Sequence, residues 1–209
     1  MTIEIDDKQL RIFHAAKQRF ANHGFHQTST QQIAESAGVS KGLLFHHYQS
    51  KNKLYLLIIE NSIDLLASEV RNEWYPEDND FFDQLKRFIQ TKMKAAIKYP
   101  LEYQLVIQAF SNAPTSLSKE IHQLIMNKSQ EIIPLGDQAI YGLLHTYSLR
   151  DGIDIALVED VVRTVLDRFS QRLISEYAGR YNELIQNKES VLAELDAIID
   201  LLKHGVSRT

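Results

Sequence analysis

The sequence predicts an all-α protein. Segments with a 3.6-residue apolar period fill most of its 209 residues, glycine and proline fall mainly between those segments, and no alternating run indicates a strand. Within residues 28–51, turn-forming residues sit at the spacing of two short crossing helices.

The composition, 44% apolar and 24% charged, is that of an ordinary globular chain; the lack of cysteine excludes disulfides, a thiolate nucleophile and a Cys-based zinc site. The longest uninterrupted apolar stretch, Leu54 to Ile59, falls far short of the ~20 residues that span a bilayer, and no basic-then-apolar leader opens the chain. A cytoplasmic protein with no membrane partner is the expectation. The net charge of −4 conceals an asymmetry: Lys8, Arg11, Lys17, Arg19, Lys41, Lys51 and Lys53 lie together with Glu35 as the one acid, a local balance of +6. His14, His23, His26, His46 and His47 fall in the same segment. Such a field attracts phosphate and sets a basic N-terminal module apart from an acidic remainder.

In chain order, Asp7 to Asn22 forms the first helix, with Phe13, Ala16 and Phe20 on one face, an aspartate at its start and Gly24 as its stop. Either Thr28 with Gln31 or Ser29 with Gln32 supplies a capping box for the second helix, which turns Ile33, Ala34 and Ala37 inward. Gly38 ends it in a left-handed conformation, Val39 plugs the corner and Ser40 caps the third helix, Lys41 to His47. This is helix-turn-helix spacing, and the third helix is the one that enters a major groove.

On that helix Leu44 and Tyr48 bury, leaving Lys41, Gly42, Leu43, Phe45, His46 and His47 outward. Gly42 costs about 1 kcal/mol of helix stability relative to alanine, which close approach of a DNA strand or close helix packing would explain. Phe45 is either a satellite core residue or an apolar contact to a thymine methyl or a sugar. Lys51 and Lys53 occupy the first turn of the next helix, where the dipole disfavours cations, so a phosphate clamp is expected there.

Residues 11 to 54 resemble the DNA-binding domain of the tetracycline-repressor (TetR) family. The likeness runs without gaps through Arg-Ile-Phe-His-Ala-Ala, Gly-Phe-His-Gln-Thr-Ser, Ile-Ala-Glu-Ser-Ala-Gly-Val-Ser-Lys-Gly, Leu-Leu-Phe-His-His-Tyr and Ser-Lys-Asn-Lys-Leu. The resemblance implies a homodimer of about nine helices per chain, with an N-terminal three-helix domain (residues 1–54) for double-stranded operator DNA. Residues 55–209 would form a helical ligand-binding and dimerisation domain. It also implies phosphate contacts from Thr28, Ser29, Thr30 and Lys51, and base or backbone contacts from Lys41, Gly42 and His47. Gln31, Ser40, Leu43, Phe45 and His46 complete the candidate DNA-binding set. Phe45 stands where the family usually has a tyrosine whose hydroxyl reaches a phosphate, Tyr48 where it has phenylalanine, and Lys53 where it has an acid.

Beyond residue 55 the reading is coarser. A linking helix extends to Arg71, a break follows at Pro76 to Asp80, and helices centre on Leu85 to Ile97 and Leu105 to Phe110. Leu117 to Tyr147 reads as one long helix interrupted near Pro134. Two more centre on Val161 to Ile174 and Val191 to Leu202. Tyr103, Phe110, His122, Met126, Tyr141, His145 and Phe169 are candidate lining for a small-molecule effector site. Val161, Val165, Leu192, Leu195, Ile199 and Leu202 are the candidate dimer seam. No enzyme motif is present, and adjacent His46 and His47 project about 100° apart, so neither metal nor cofactor is expected. The function expected is a ligand-responsive regulator, a repressor released from a palindromic operator by an effector. The alternative is a constitutive DNA binder or protein-interaction adaptor on the same fold.

Overall fold

The structure, a computed structural model, describes residues 7–73, 80–128, 142, 144, 145, 147–149, 151–177 and 180–206. The helices are α1 (Asp7–Gln27), α2 (Thr30–Ala37), α3 (Lys41–Tyr48), α4 (Lys51–Glu73), α5 (Phe81–Lys98) and α6 (Pro100–Ser111). A short 3-10 turn (Thr115–Leu117) leads into helical residues 118–128, here α7. Then come α8 (Ile155–Glu176), α9 (Tyr181–Gln186) and α10 (Lys188–Val206). The architecture is all-helical, with the helix-turn-helix at its N-terminal end, as the sequence predicts. Pro134 and the break expected at it lie outside the described residues, as do residues 74–79. The short helix α9 was not expected.

Two compact units divide the chain, residues 1–66 with 99–128 and residues 67–98 with 129–209. In the first, Ile12, Ala16 and Phe20 of α1 meet Ile33 and Ala37 of α2, Leu44 of α3, and Leu54, Ile58 and Ile59 of α4 in one core. Each large side chain buried there contributes about 1.5–3 kcal/mol. The same core takes in Leu105 and Ala109 of α6, Leu117 and Ile121. Residues 99–128 are therefore packed with the helix-turn-helix.

Polar ties fix this packing. Lys17 of α1 and Glu102 of α6 form an ion pair at 2.5 Å, with side chains only 15% and 9% exposed. The Gln104 and Gln108 side-chain amides both donate to the Ala21 carbonyl, at 2.7 and 3.1 Å. Lys128 meets Asp64 at 2.8 Å and Glu60 at 3.6 Å.

The second unit has its own core of Phe81, Phe82 and Leu85 from α5, Val158, Val162 and Phe169 from α8, Val191, Leu195, Ile199 and Leu202 from α10, and Leu144. Asp80 caps α5 by accepting from the Phe82 amide at 2.9 Å, and Asp154 caps α8 by accepting from Ala156 at 3.0 Å. Of the expected dimer seam, Leu195, Ile199 and Leu202 are at most 8% exposed within the single chain, where their face of α10 packs in this core. Among the described residues, no helix is long and apolar enough to cross a membrane.

Candidate nucleic-acid interface

Local backbone chemistry builds the helix-turn-helix. Ser29, not Thr28, caps α2: its hydroxyl accepts from the Gln32 amide at 3.2 Å, while the Gln32 side chain accepts from the Ser29 amide at 2.9 Å. The open choice between two capping boxes is thus decided for Ser29 with Gln32. Gly38 terminates α2 at φ 63°, ψ 40°, with its N–H directed to Glu35 and the Val39 N–H to the Ala34 carbonyl. Arg11 donates to the last carbonyl of α2, Ala37 O, at 3.0 Å, where a cation also suits the helix dipole. Ser40 caps α3 by accepting from the Leu43 amide at 3.2 Å.

The two faces of α3 are sharply different. Leu44 is fully buried, and Tyr48 is 7% exposed with its hydroxyl donating to the Gln9 carbonyl at 2.9 Å; burial pushes that phenol above its ordinary pKa. Lys41, Gly42, Phe45 and His46 are exposed, and Leu43 and His47 are half-buried. A Cβ added at Gly42 would find nothing nearer than the Ser40 hydroxyl, at 3.9 Å. Close packing within the chain therefore does not explain this glycine. Phe45, 39% exposed, is not a satellite core residue; its ring has the Lys41 ammonium 5.9 Å from its centroid.

Among the DNA-binding candidates the structure separates Ser29 and Gln31, which are exposed, and Thr30, which is half-buried, from Thr28 and Lys51. Thr28 is 1% exposed, and its hydroxyl lies 2.8 Å from the Gly24 carbonyl and 3.2 Å from that of Arg19. Its side chain is held in the fold and is not available to a phosphate. Lys51 is likewise turned inward. Its ammonium donates to Phe25 O at 2.8 Å and Thr28 O at 2.9 Å and sits 4.0 Å from the Phe25 ring centroid, and burial lowers its pKa. It braces the end of α1, whose helix breaks at Gly24 (φ 74°), against the start of α4. Two of the three ammonium donors of the lysine expected to clamp a phosphate are thus used on backbone oxygens. Lys53 points to Gln49, whose side-chain oxygen accepts from it at 2.5 Å, and Ser50 caps α4 through the Lys53 amide.

Of the effector candidates, Tyr103, Phe110, His122 and Met126 belong to the first unit, where Phe110 and Met126 are 57% and 48% exposed and His122 is exposed. Burial raises the pKa of the Tyr103 phenol. His145 and Phe169 belong to the second unit; the His145 ring is exposed, 3.6 Å from Glu159, while Phe169 is 6% exposed in the core. Tyr141 lies outside the described residues. Of the seam candidates, Val161 is 38% exposed, and Val165 and Leu192 are half-buried. Leu157 (58%) and Leu201 (74%) are the more exposed apolar residues of α8 and α10. A shallow groove of about 310 Å³ between these helices is lined by Val165, Phe169, Arg172 and Ile198, with Arg172 bonded to Glu194 at 2.6 Å.

Nothing local signals the contacts of Lys17, Glu102, Gln104 and Gln108, whose partners lie more than 80 residues away. Among the described residues no group of three or more His, Asp or Glu is arranged to hold a metal ion.

Comparison with known proteins places this geometry. The family model for bacterial regulatory proteins of the tetR family matches residues 12–58, and that for the tetracyclin repressor-like C-terminal domain matches residues 79–207. The chain is 30% identical to the HTH-type transcriptional regulator RutR of Escherichia coli over 129 residues, 60% of each protein, so the match spans well under two thirds of that relative. It is 23% identical to the HTH-type transcriptional repressor AcnR of Corynebacterium diphtheriae over 189 residues, covering 82% of this chain and 84% of that one. A TetR family transcriptional regulator from Chloroflexus aurantiacus shares the fold with a TM-score of 0.66 at 20% identity, over 98% of this chain and 95% of its own.

Proposed function

This chain belongs to the tetR family of bacterial regulatory proteins, DNA-binding transcriptional regulators, and we propose that it is a homodimeric repressor released from a palindromic operator by a small-molecule effector. One observation carries the DNA-reading assignment to particular residues. The outward face of α3 presents Lys41, Gly42, Phe45 and His46, and the space over Gly42 is open. A helix that gives up stability to keep a bare backbone on its exposed face is built for close approach of another molecule. The positive balance of residues 8–53 suits a polyanion. Ser29, Thr30 and Gln31, at the start of α2, would meet the backbone alongside it.

Dimerisation supplies the second reading head, because one helix-turn-helix makes too few base contacts for specific binding. With Leu195, Ile199 and Leu202 in the core, the seam is assigned to the exposed residues Leu157, Val161 and Leu201 beside the groove at Val165 and Ile198.

Effector control requires a ligand that prefers the conformation that does not bind DNA. The route to the reading head is α4 together with α6, since Lys17–Glu102 and the two glutamine bonds to Ala21 hold α6 on α1. A coupling of roughly 1–3 kcal/mol would weaken operator binding about 5- to 150-fold, with the same factor acting on effector affinity. Binding titrations of operator against effector, each at zero and saturating concentrations of the other, test this. Equal effector affinity with and without operator would reject induction and favour a constitutive DNA binder.

A further inference from the structure

We propose that Phe45 reads the 5-methyl group of a thymine in each half-site, making it a specificity-determining residue of α3. This deepens the DNA-reading assignment above and rests on it. Three features of the helix lead to it. Of the two benzene-ring side chains of α3 the fold takes in one: Tyr48 is 7% exposed and bonded to Gln9, whereas Phe45 is 39% exposed. Gly42 lies three residues earlier, so the two are surface neighbours on the helix, and the missing Cβ leaves open space beside the ring. Lys41, four residues before Phe45, places its ammonium 5.9 Å from the ring centroid.

Together these leave an exposed apolar ring three residues from a bare glycine backbone, with a cation near the ring. Phenylalanine has neither donor nor acceptor, so it cannot read the hydrogen-bonding edge of any base. The one apolar group that B-form DNA presents in the major groove is the thymine methyl. It is about the size of the side chain that Gly42 lacks. Burial of one methyl, at the usual transfer free energy of a methylene, favours thymine over its demethylated analogue about 4-fold per half-site and about 15-fold for a dimer.

The test uses duplexes selected from a random pool by the full-length protein, with each thymine then replaced singly by deoxyuridine, which removes the methyl and nothing else. The expected result is one symmetry-related thymine position at which uracil weakens the wild type by about 4-fold per half-site. Phe45→Ala should bind the thymine duplex more weakly and show no loss on going to uracil. Phe45→Leu, which keeps an apolar side chain, should retain part of the discrimination and serves should the alanine variant fold poorly. Wild-type binding that is indifferent to uracil at every position would overturn the assignment. So would uracil sensitivity that survives intact in both variants, since another residue would then read the methyl. Failure to enrich any sequence over random duplex would overturn the DNA-reading assignment as well, whereas enrichment with uracil indifference removes the methyl contact alone.

Discussion

Helices α3 and α10 both present apolar residues to a core, but their other faces differ in kind. In the first unit α3 buries Leu44 and Tyr48 and turns out a lysine, a bare glycine, a phenylalanine and a histidine that the fold does not need there. In the second, α10 buries Leu195, Ile199 and Leu202 against α5 and α8 and leaves Leu201 74% exposed. A face that a chain keeps exposed at a cost to its own stability indicates an external partner. An apolar stripe that the chain's own core fills does not. The function proposed above accordingly gives recognition to α3 and self-association to the exposed residues of α10.

Four substitutions can break or sharpen that contrast. The largest effect should come from Leu195→Asp, which places an unpaired charge in the second core and costs on the order of 4 kcal/mol or more, unfolding that unit in denaturant titrations. Leu201→Asp should leave stability within about 0.5 kcal/mol and yield monomers by sedimentation. A folded monomer from Leu195→Asp would return the seam to the buried stripe. Next, Lys17→Met leaves Glu102, 7% exposed, without its cation and should cost about 3–5 kcal/mol. Adding Glu102→Met should recover most of it, as chemical denaturation of single and double variants would show; no recovery would mean that the pair is not what holds α6 to α1.

The lysines give a subtler separation. Lys41→Ala should reduce the slope of log affinity against log salt by about 1, because an exposed cation on the reading face releases one counterion. Lys51→Ala should lower thermal stability and weaken every DNA sequence alike while leaving that slope unchanged, because its ammonium is bonded to Phe25 O and Thr28 O. A slope reduced equally by both would restore the phosphate clamp.

What the sequence made legible follows the range of the interactions. The Gly38 stop, the Ser40 cap and the inward pair Leu44 and Tyr48 are decided by neighbours within a turn or two and read correctly from spacing, whereas spacing left the α2 cap open between Thr28 and Ser29. The bonds of Lys51 were not legible, because their acceptors are carbonyls 23 and 26 residues away. Glu102 pairs across 85 residues, so nothing local marks α6 as part of the reading unit. The α10 stripe was visible as a stripe, but an amphipathic period carries no mark of whether its own chain or another copy will cover it.

The central claim, that the exposed face of α3 is shaped for close approach of DNA, is tested most directly by Gly42→Ala measured for thermal stability and operator affinity together. Within the chain an added methyl meets only the Ser40 hydroxyl, at 3.9 Å, so alanine should stabilise α3 by about 1 kcal/mol and raise the melting temperature. The account predicts that the same variant loses operator affinity at least 10-fold, a gain in fold and a loss in recognition from one carbon atom. A more stable Gly42→Ala protein that binds operator as tightly as the wild type would contradict it.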